Sequence, residues 1–401
     1  MDTFVYKDHK KLRCGYTTGT CAALAAQGAV RFLLTGSWKE TEEIMTPKGI
    51  PVCVSLEEKT SGDSWAECAV RKDAGDDYDV TNGILVYARA EFVKDKNFYE
   101  KVQMSHLESS GFGAAGEKPG LSPENQKQQK KANAAHQKEA LPESLVRIDG
   151  GIGIGRITKS GLDQPVGAAA INSVPRKMIR DAVYELLEEA GELRLVSITI
   201  SVPAGVEAAK KTFNPVLGIE GGISVLGTSG IVEPMSEEAL VETIRTHLNV
   251  LKAEGRKWVI AVPGNMGAGF LERYLVEHGK FCTDAHQGSN AADTDAAVEA
   301  EQMAYGELST GTEPSLLEGF MNSLVTMSNF VGKTIDLAAE LGFSGILIAG
   351  HMGKLVKIGN GIMNTHSREA DGRMDTMLSC ALSAGTEDLE LLRKIQRSNT
   401  T

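Results

Sequence analysis

The feature that most restricts the fold of this chain is a threefold alternation in its last third. An apolar run, a glycine-bearing loop and a helical pattern recur as WVIAV with PGNMGAG, SLVTMS with NFVG, and GILIAG with HMGKLVKIGNG. Short apolar strands separated by helices favour a parallel sheet covered on both faces, and such sheets bind ligands beyond the carboxyl ends of their strands. The three loops are therefore site candidates as a group. The pattern starts after Ser236, which reads as a helix cap ahead of Leu240, Val241, Ile244, Leu248 and Leu251 on one face, with Gly255 as the stop. With 401 residues and about 150 per domain, the expected organisation is an α+β amino-terminal domain over residues 1–235. An α/β parallel-sheet, Rossmann-like domain would follow over residues 236–401.

Upstream, residues 18–35 read as a helix with Thr18 or Thr20 as cap and Gly36 as stop. The CGYTTGTCAA segment at its start offers the hydroxyls of Thr17, Thr18 and Thr20, backbone N–H groups and nearby Arg13 to an anion; simple capping is the stronger reading of those residues alone. Residues 51–57, 65–71 and 84–92 alternate like strands. Between the last two, KDAGDDYDVTNG carries Asp73, Asp76, Asp77 and Asp79, which read as a solvated turn before a base or cation site. GGIGIGRITKSG suits a strand edge or a loop pressed against a ligand or another backbone. After Pro175, Met178, Ile179, Ala182, Val183, Leu186 and Leu187 share a helix face that ends at Gly191, and Val196, Ile198, Ile200 and Val202 share a strand face. From Gly113 to Ala140 the one large aliphatic residue is Leu121, so a mobile polar insertion is expected at about 96–143.

The formal charge of −11 argues against a nucleic-acid or anionic-membrane surface, and an aromatic content of 5% argues against base stacking. An anionic ligand must then be held by locally placed cations. Six cysteines without a CxxC give neither a disulfide framework nor a zinc site, and most read as buried thiols; no metal site is expected. GGIGIG lacks the G-x-G-x-x-G spacing, Met327 stands where a phosphate loop ending in Gly332–Thr334 needs glycine, and neither G-x-S-x-G nor H-E-x-x-H occurs. MDTFVYKDHKKLR has no apolar signal-peptide stretch, which predicts a cytoplasmic protein. In the last loop, His351 and Lys354 follow an apolar strand, where they can hold a carboxylate or relay a proton; a capped helix with solvent-facing charges is an equally strong reading.

Taken together, CGYTTGTCAA, KDAGDDYDVTNG, GGIGIGRITKSGL with GAAAINSVPRKMI, KKTFNPVLGIEGGISVLGTSGIVEPMS, SNFVG and AGHMGKLVKIGNGIMNTHSREADGR resemble the cobalt-precorrin-5B C-1 methyltransferase family of anaerobic cobalamin synthesis, the CbiD type. The sequence departs from that pattern in the insertion at 96–143, in GAAAINSVPR, where an acid–proline pair is usual, and at Asn82, where histidine is common. The resemblance implies methyl transfer from S-adenosylmethionine to ring carbon C-1 of a cobalt corrinoid whose cobalt belongs to the substrate. Positioning supplies most of the rate in such a transfer, so a missing catalytic triad is no objection. Within that frame Gly264, Asn265, Gly267, Asn329, Gly332 and Gly350 are the expected cofactor contacts, with the amino-terminal domain covering the tetrapyrrole. Arg13, Thr17, Thr18, Thr20, Arg156, Lys159, Arg176 and Lys354 are the expected substrate contacts, and Asp76, Asp77 and His351 the catalytic candidates. Two alternatives stay open: an α/β enzyme using another anionic cofactor in the same loops, and a non-catalytic tetrapyrrole-binding relative. The sequence also leaves a homo-oligomer open.

Overall fold

An alanine-rich helix, α1 (Thr18–Thr35), is buried without interruption from Thr18 to Val30, because small side chains let neighbours approach it on every side. At Gly28 an added Cβ would lie 2.5 Å from Leu56 Cδ1. In this computed structural model, which describes residues 3–7, 9–93, 145–278 and 322–398, α1 packs on a five-stranded sheet. Its strands are β1 (Glu57–Ser61), β2 (Trp65–Arg71), β3 (Leu85–Phe92), β4 (Val146–Gly150) and β5 (Val196–Ser201), in the order β1-β2-β3-β5-β4. All neighbours are antiparallel except β5 and β4, which are parallel, so that Ile198 lies between Ala90 and Ile148. Helix α2 (Ser173–Ala190) also packs on α1 and buries Met178, Ile179, Ala182, Val183, Leu186 and Leu187, the face read from the sequence. Gly36 and Gly191 stop the two helices in the left-handed conformation, which glycine adopts without a Cβ clash.

The described chain forms two compact units: residues 1–158 with 163–235, and residues 159–162 with 236–401. In the second unit α3 (Glu237–Ala253) starts at Ser236, whose side chain accepts the Ala239 N–H. Ile244, Leu248 and Leu251 are buried as expected, but Leu240 is 48% exposed, because it sits in the first turn, before the face reaches the core. Three parallel strands follow, β6 (Trp258–Val262), β7 (Leu324–Thr326) and β8 (Gly345–Ile348), in the order β7-β6-β8. Helices α4 (Asn265–His278) and α5 (Val331–Glu340) lie between them in sequence, and α6 (Arg373–Ser383) and α7 (Leu389–Arg397) close the described chain. The architecture is mixed α/β. No helix among the described residues is long and apolar enough to cross a membrane.

Three expectations need correction. Thr17, not Thr18 or Thr20, caps α1, its hydroxyl accepting the Thr20 N–H at 3.2 Å. The run 51–57 divides: Pro51–Ser55 pairs with Thr41–Met45 as a separate hairpin, and Glu57 opens β1. Most of the described cysteines are buried, as expected: Cys14, Cys21 and Cys68 are, and Cys53 and Cys380 are exposed. The acidic loop is pinned instead of solvated, as described below. The polar insertion expected at about 96–143 lies outside the described residues.

Candidate active site

The order β7-β6-β8 puts the first strand in the middle, so the loops after β6 and β8 diverge at one sheet edge, where α/β sheets characteristically leave a crevice. A cavity of about 660 Å³ opens there, lined by the 263–267 loop after β6 and by His351, Gly353, Lys354 and Arg373. A second cavity of about 320 Å³ shares Gly353, Lys354 and Arg373 with it and adds Asn329, Lys357, Thr365, His366 and Ser367. Of the expected contacts, Gly264, Asn265, Gly267, Asn329, His351 and Lys354 thus come together in one cleft. At Gly264 an added Cβ would meet nothing within 4 Å. Gly350 and Gly332 are glycines for packing reasons: a Cβ would lie 2.8 Å from Pro263 Cδ at the first and 2.8 Å from Met363 Cβ at the second.

Hydrogen bonds tie the loops together. Asn329 accepts the Lys354 ammonium on Oδ1 at 3.1 Å and the Thr365 N–H on its carbonyl at 2.9 Å. The turn that presents Asn329 contains Ser328 at φ 53°, a left-handed conformation that costs a non-glycine residue on the order of 1 kcal/mol or more. His351 caps the short helix Met352–Leu355 by accepting the Gly353 N–H on Nδ1 at 3.0 Å. In the neutral ring that bond assigns the proton to Nε2, so His351 presents a donor there. His366 is set the same way by the Arg368 N–H at 3.1 Å. Arg373 holds both oxygens of Asp371, at 2.6 and 2.8 Å, and its guanidinium keeps that carboxyl below the usual carboxylate range. Lys357 is 3% exposed and donates to the carbonyls of Thr365 and Ala370 at 3.2 and 2.8 Å. Arg373, Lys357 and His366 were not among the contacts expected from the sequence; the THSREADGR run that carries two of them is returned to the cleft by the Phe330–Asn364 bridge, the Thr365 N–H bond to Asn329 and the Lys357 bonds to the Thr365 and Ala370 carbonyls.

In the first unit the expected ligand groups are engaged internally. The Thr20 hydroxyl donates to the Gly230 carbonyl at 2.6 Å, Thr17 N–H donates to the same oxygen at 3.0 Å, and Thr17, Thr18 and Thr20 are all buried. The start of α1 is therefore capped and covered by the 227–232 segment, whose Ile231 and Val232 pair with Gly15 and Tyr16. Arg13 forms two bonds to Asp73, at 2.5 and 2.7 Å, and holds that carboxyl below its usual range. Asp76 accepts the Arg13 N–H at 2.7 Å and Asp77 the Met235 N–H at 3.0 Å, so both catalytic candidates serve as backbone acceptors. Asp79 pairs with buried Lys72 and accepts from Thr81; burial pushes its carboxyl up, and Lys72 with Thr81 more than offsets this. Arg156 is paired with Asp149 at 2.7 Å and donates to the Gly150 carbonyl at 2.7 Å. Arg176 is a structural clamp on the carbonyls of Ile171, Ile148 and Ala169. Lys159 belongs to the second unit, where it pairs with Glu254 at 3.1 Å. Burial pushes the thiols of Cys21 and Cys68 up to about 12, which leaves them protonated and unreactive at neutral pH.

Within GGIGIG the glycines meet close neighbours of both kinds: Gly150 and Gly151 meet side chains, Gly153 backbone. Gly153 pairs in parallel with Gly222, and a Cβ on Gly153 would lie 1.7 Å from the Val202 carbonyl oxygen.

The CbiD family model matches residues 5–129 and 126–234. Full-length relatives agree: the chain is 36% identical over 401 residues to a protein of Thermoanaerobacter sp. (strain X514) named cobalt-precorrin-5B C(1)-methyltransferase, covering all of this chain and 84% of that protein. This chain belongs to the CbiD family. A relative of the same name from Ruminiclostridium cellulolyticum is 37% identical over 401 residues, covering all of this chain and 80% of its own length. A crystal structure of a cobalamin biosynthesis protein (cbiD) from Archaeoglobus fulgidus is 21% identical, with a TM-score of 0.38 over 92% of this chain and 86% of that one. The cleft lies in the second unit, beyond the residues matched by the CbiD model but inside the full-length alignments with CbiD relatives.

Proposed function

We propose that this CbiD-family chain transfers a methyl group from S-adenosylmethionine to ring carbon C-1 of cobalt-precorrin-5B, the reaction for which its relatives are named. The methyl donor occupies the strand-end cleft of the second unit, a Rossmann-like sheet in this reading. One observation carries the assignment: the cavity of about 660 Å³ sits where the loops after β6 and β8 diverge, and its glycine, Gly264, faces open space. That volume lies within the range of sites for ligands the size of S-adenosylmethionine. The residues suit the group, since backbone at 263–267 meets apolar and ribosyl parts while Lys354 and Arg373 meet a carboxylate.

When bound, S-adenosylmethionine supplies a methyl group on a sulfonium, ready for in-line displacement by a ring carbon. The chain then has to bind, orient and exclude water, and positioning alone is worth several powers of ten in rate. His351, whose Nδ1 accepts the Gly353 N–H, presents its Nε2 side to a ligand oxygen or nitrogen. Asp76 and Asp77 have no part in this reading, because both are committed to backbone N–H groups.

The test is a transfer assay with methyl-labelled S-adenosylmethionine and cobalt-precorrin-5B. The expected result is label in the corrinoid with wild-type protein and a loss of at least tenfold with Gly264→Leu, whose Cβ would meet no protein atom within 4 Å and whose branch would occupy the cleft. Normal transfer by a folded Gly264→Leu variant would move the donor elsewhere; no transfer by the wild type would remove the activity.

A further inference from the structure

The smaller cavity has a chemistry of its own, and the argument from it rests on the proposed methyl transfer only for the choice of ligand. Three cations line it, Lys354, Lys357 and Arg373. Among the described residues neither Lys354 nor Lys357 has a carboxylate within ion-pair distance, although the chain as a whole is acidic, with a net charge of −11. Lys357 is the informative one. At 3% exposure its ammonium has left water, and the two carbonyls it meets satisfy two of its three donors without neutralising its charge. The nearest carboxylate, Asp371, interacts with Lys357 through space but is bonded to Arg373, so the direct partners of the buried ammonium are neutral and a ligand anion beside it would be favoured. Arg373 adds a second fixed donor set: Asp371 takes Nε and Nη2, which leaves the two Nη1 hydrogens outside that pairing. His366, with Nδ1 occupied, presents Nε2–H.

We infer that the cavity framed by Lys354, Lys357, Arg373 and His366 is a carboxylate-binding subsite that anchors one end of a ligand extending into the larger cavity beside Gly264. The shared wall of Gly353, Lys354 and Arg373 makes one ligand continuous across both cavities. Two carboxylates fit the chemistry: the one on the methionyl end of S-adenosylmethionine, and one on a side arm of the corrinoid.

The experiment compares wild type with Lys354→Met and Arg373→Met. These are chosen over Lys357, whose loss would leave two carbonyls without donors. Calorimetry measures S-adenosylhomocysteine against 5′-methylthioadenosine, which lacks the amino-acid end, and dicyanocobyrinic acid, with free carboxylate arms, against dicyanocobinamide, whose arms are amides. If the subsite takes the cofactor, both variants weaken S-adenosylhomocysteine by about tenfold to a hundredfold and leave 5′-methylthioadenosine unchanged. If it takes a corrinoid arm, the same loss appears on dicyanocobyrinic acid and spares dicyanocobinamide. Unchanged affinity for all four probes in folded variants overturns the subsite. Failure of wild type to bind either nucleoside, with the corrinoid pair still discriminated, would instead remove the methyl-donor reading and keep the subsite.

Discussion

Arg176 separates the binding account read from the sequence from the structural role seen in the fold. Its guanidinium donates to Ile171 O at 2.8 Å, Ile148 O at 2.9 Å and Ala169 O at 3.3 Å, joining the start of α2 to β4 and to the segment between them. Replacing it with methionine keeps the aliphatic stem and removes all three bonds. A hydrogen bond from a charged donor is worth about 1.5–3 kcal/mol, and the three share one group, so their losses do not add in full. Counting the 3.3 Å bond least, Arg176→Met should cost the first unit about 3–5 kcal/mol. Arg176→Lys should recover less than half, since one ammonium cannot reach three diverging carbonyls in the guanidinium geometry. The assay is amide hydrogen exchange on peptides from β4, β5 and α2. Exchange should accelerate by about two to four powers of ten, while the affinity for S-adenosylhomocysteine stays within twofold. A stability loss below about 1 kcal/mol, with corrinoid binding weakened tenfold or more, would refute the clamp and return Arg176 to the ligand.

Three further outcomes follow from the same geometry. Burial first, then the like charge of Lys159, with Glu254 opposing, pulls the His247 imidazole from its ordinary 6.5 to about 4. Between those values the unfolded chain binds a proton that the folded chain refuses. Stability of the second unit should therefore be complete above pH 6.5 and fall by about 3 kcal/mol as pH drops to about 4; urea midpoints that do not move, or that move equally in His247→Leu, would contradict this. Gly153→Ala should abolish soluble protein or lower the melting temperature by more than 10 °C, on the order of a loss of several kcal/mol, because its Cβ would lie 1.7 Å from a carbonyl oxygen at φ 77°. Gly167→Ala, with a similar φ of 87° but open space around it, should cost only about 1 kcal/mol. Ser328→Gly should raise the melting temperature slightly by relieving φ 53°, and a lowered melting temperature would contradict this.

The sequence made periodic elements legible and left pairing choices hidden. The buried face of α2 and the run Val196, Ile198, Ile200 and Val202 follow directly from spacing, because burial imposes the period that the residues display. The three strand-end loops were legible as a group for the same reason. What a charged residue touches is set by tertiary neighbours, and local pattern carries no record of it. Arg13 meets Asp73 sixty positions away, and Arg176 meets the Ile148 carbonyl 28 positions away. Both read as free cations until the fold supplies their partners. The glycines of GGIGIG announce a close approach without saying to what; for Gly153 the partners turn out to be Gly222 and the Val202 carbonyl. Lys357 was hidden for the opposite reason: a lysine three residues after Lys354 on a short helical segment looks solvated, and only the 365–370 return buries it.

The claim that the second unit's strand-end cleft holds the methyl donor is tested most directly by hydrogen exchange of the full chain with and without S-adenosylhomocysteine. The account predicts slowed exchange in residues 263–268, 351–357 and 365–373, with α1, β5 and the 73–83 loop unchanged. Protection centred on residues 13–20 or 150–158 instead, with the cleft loops unaffected at saturating ligand, would contradict it.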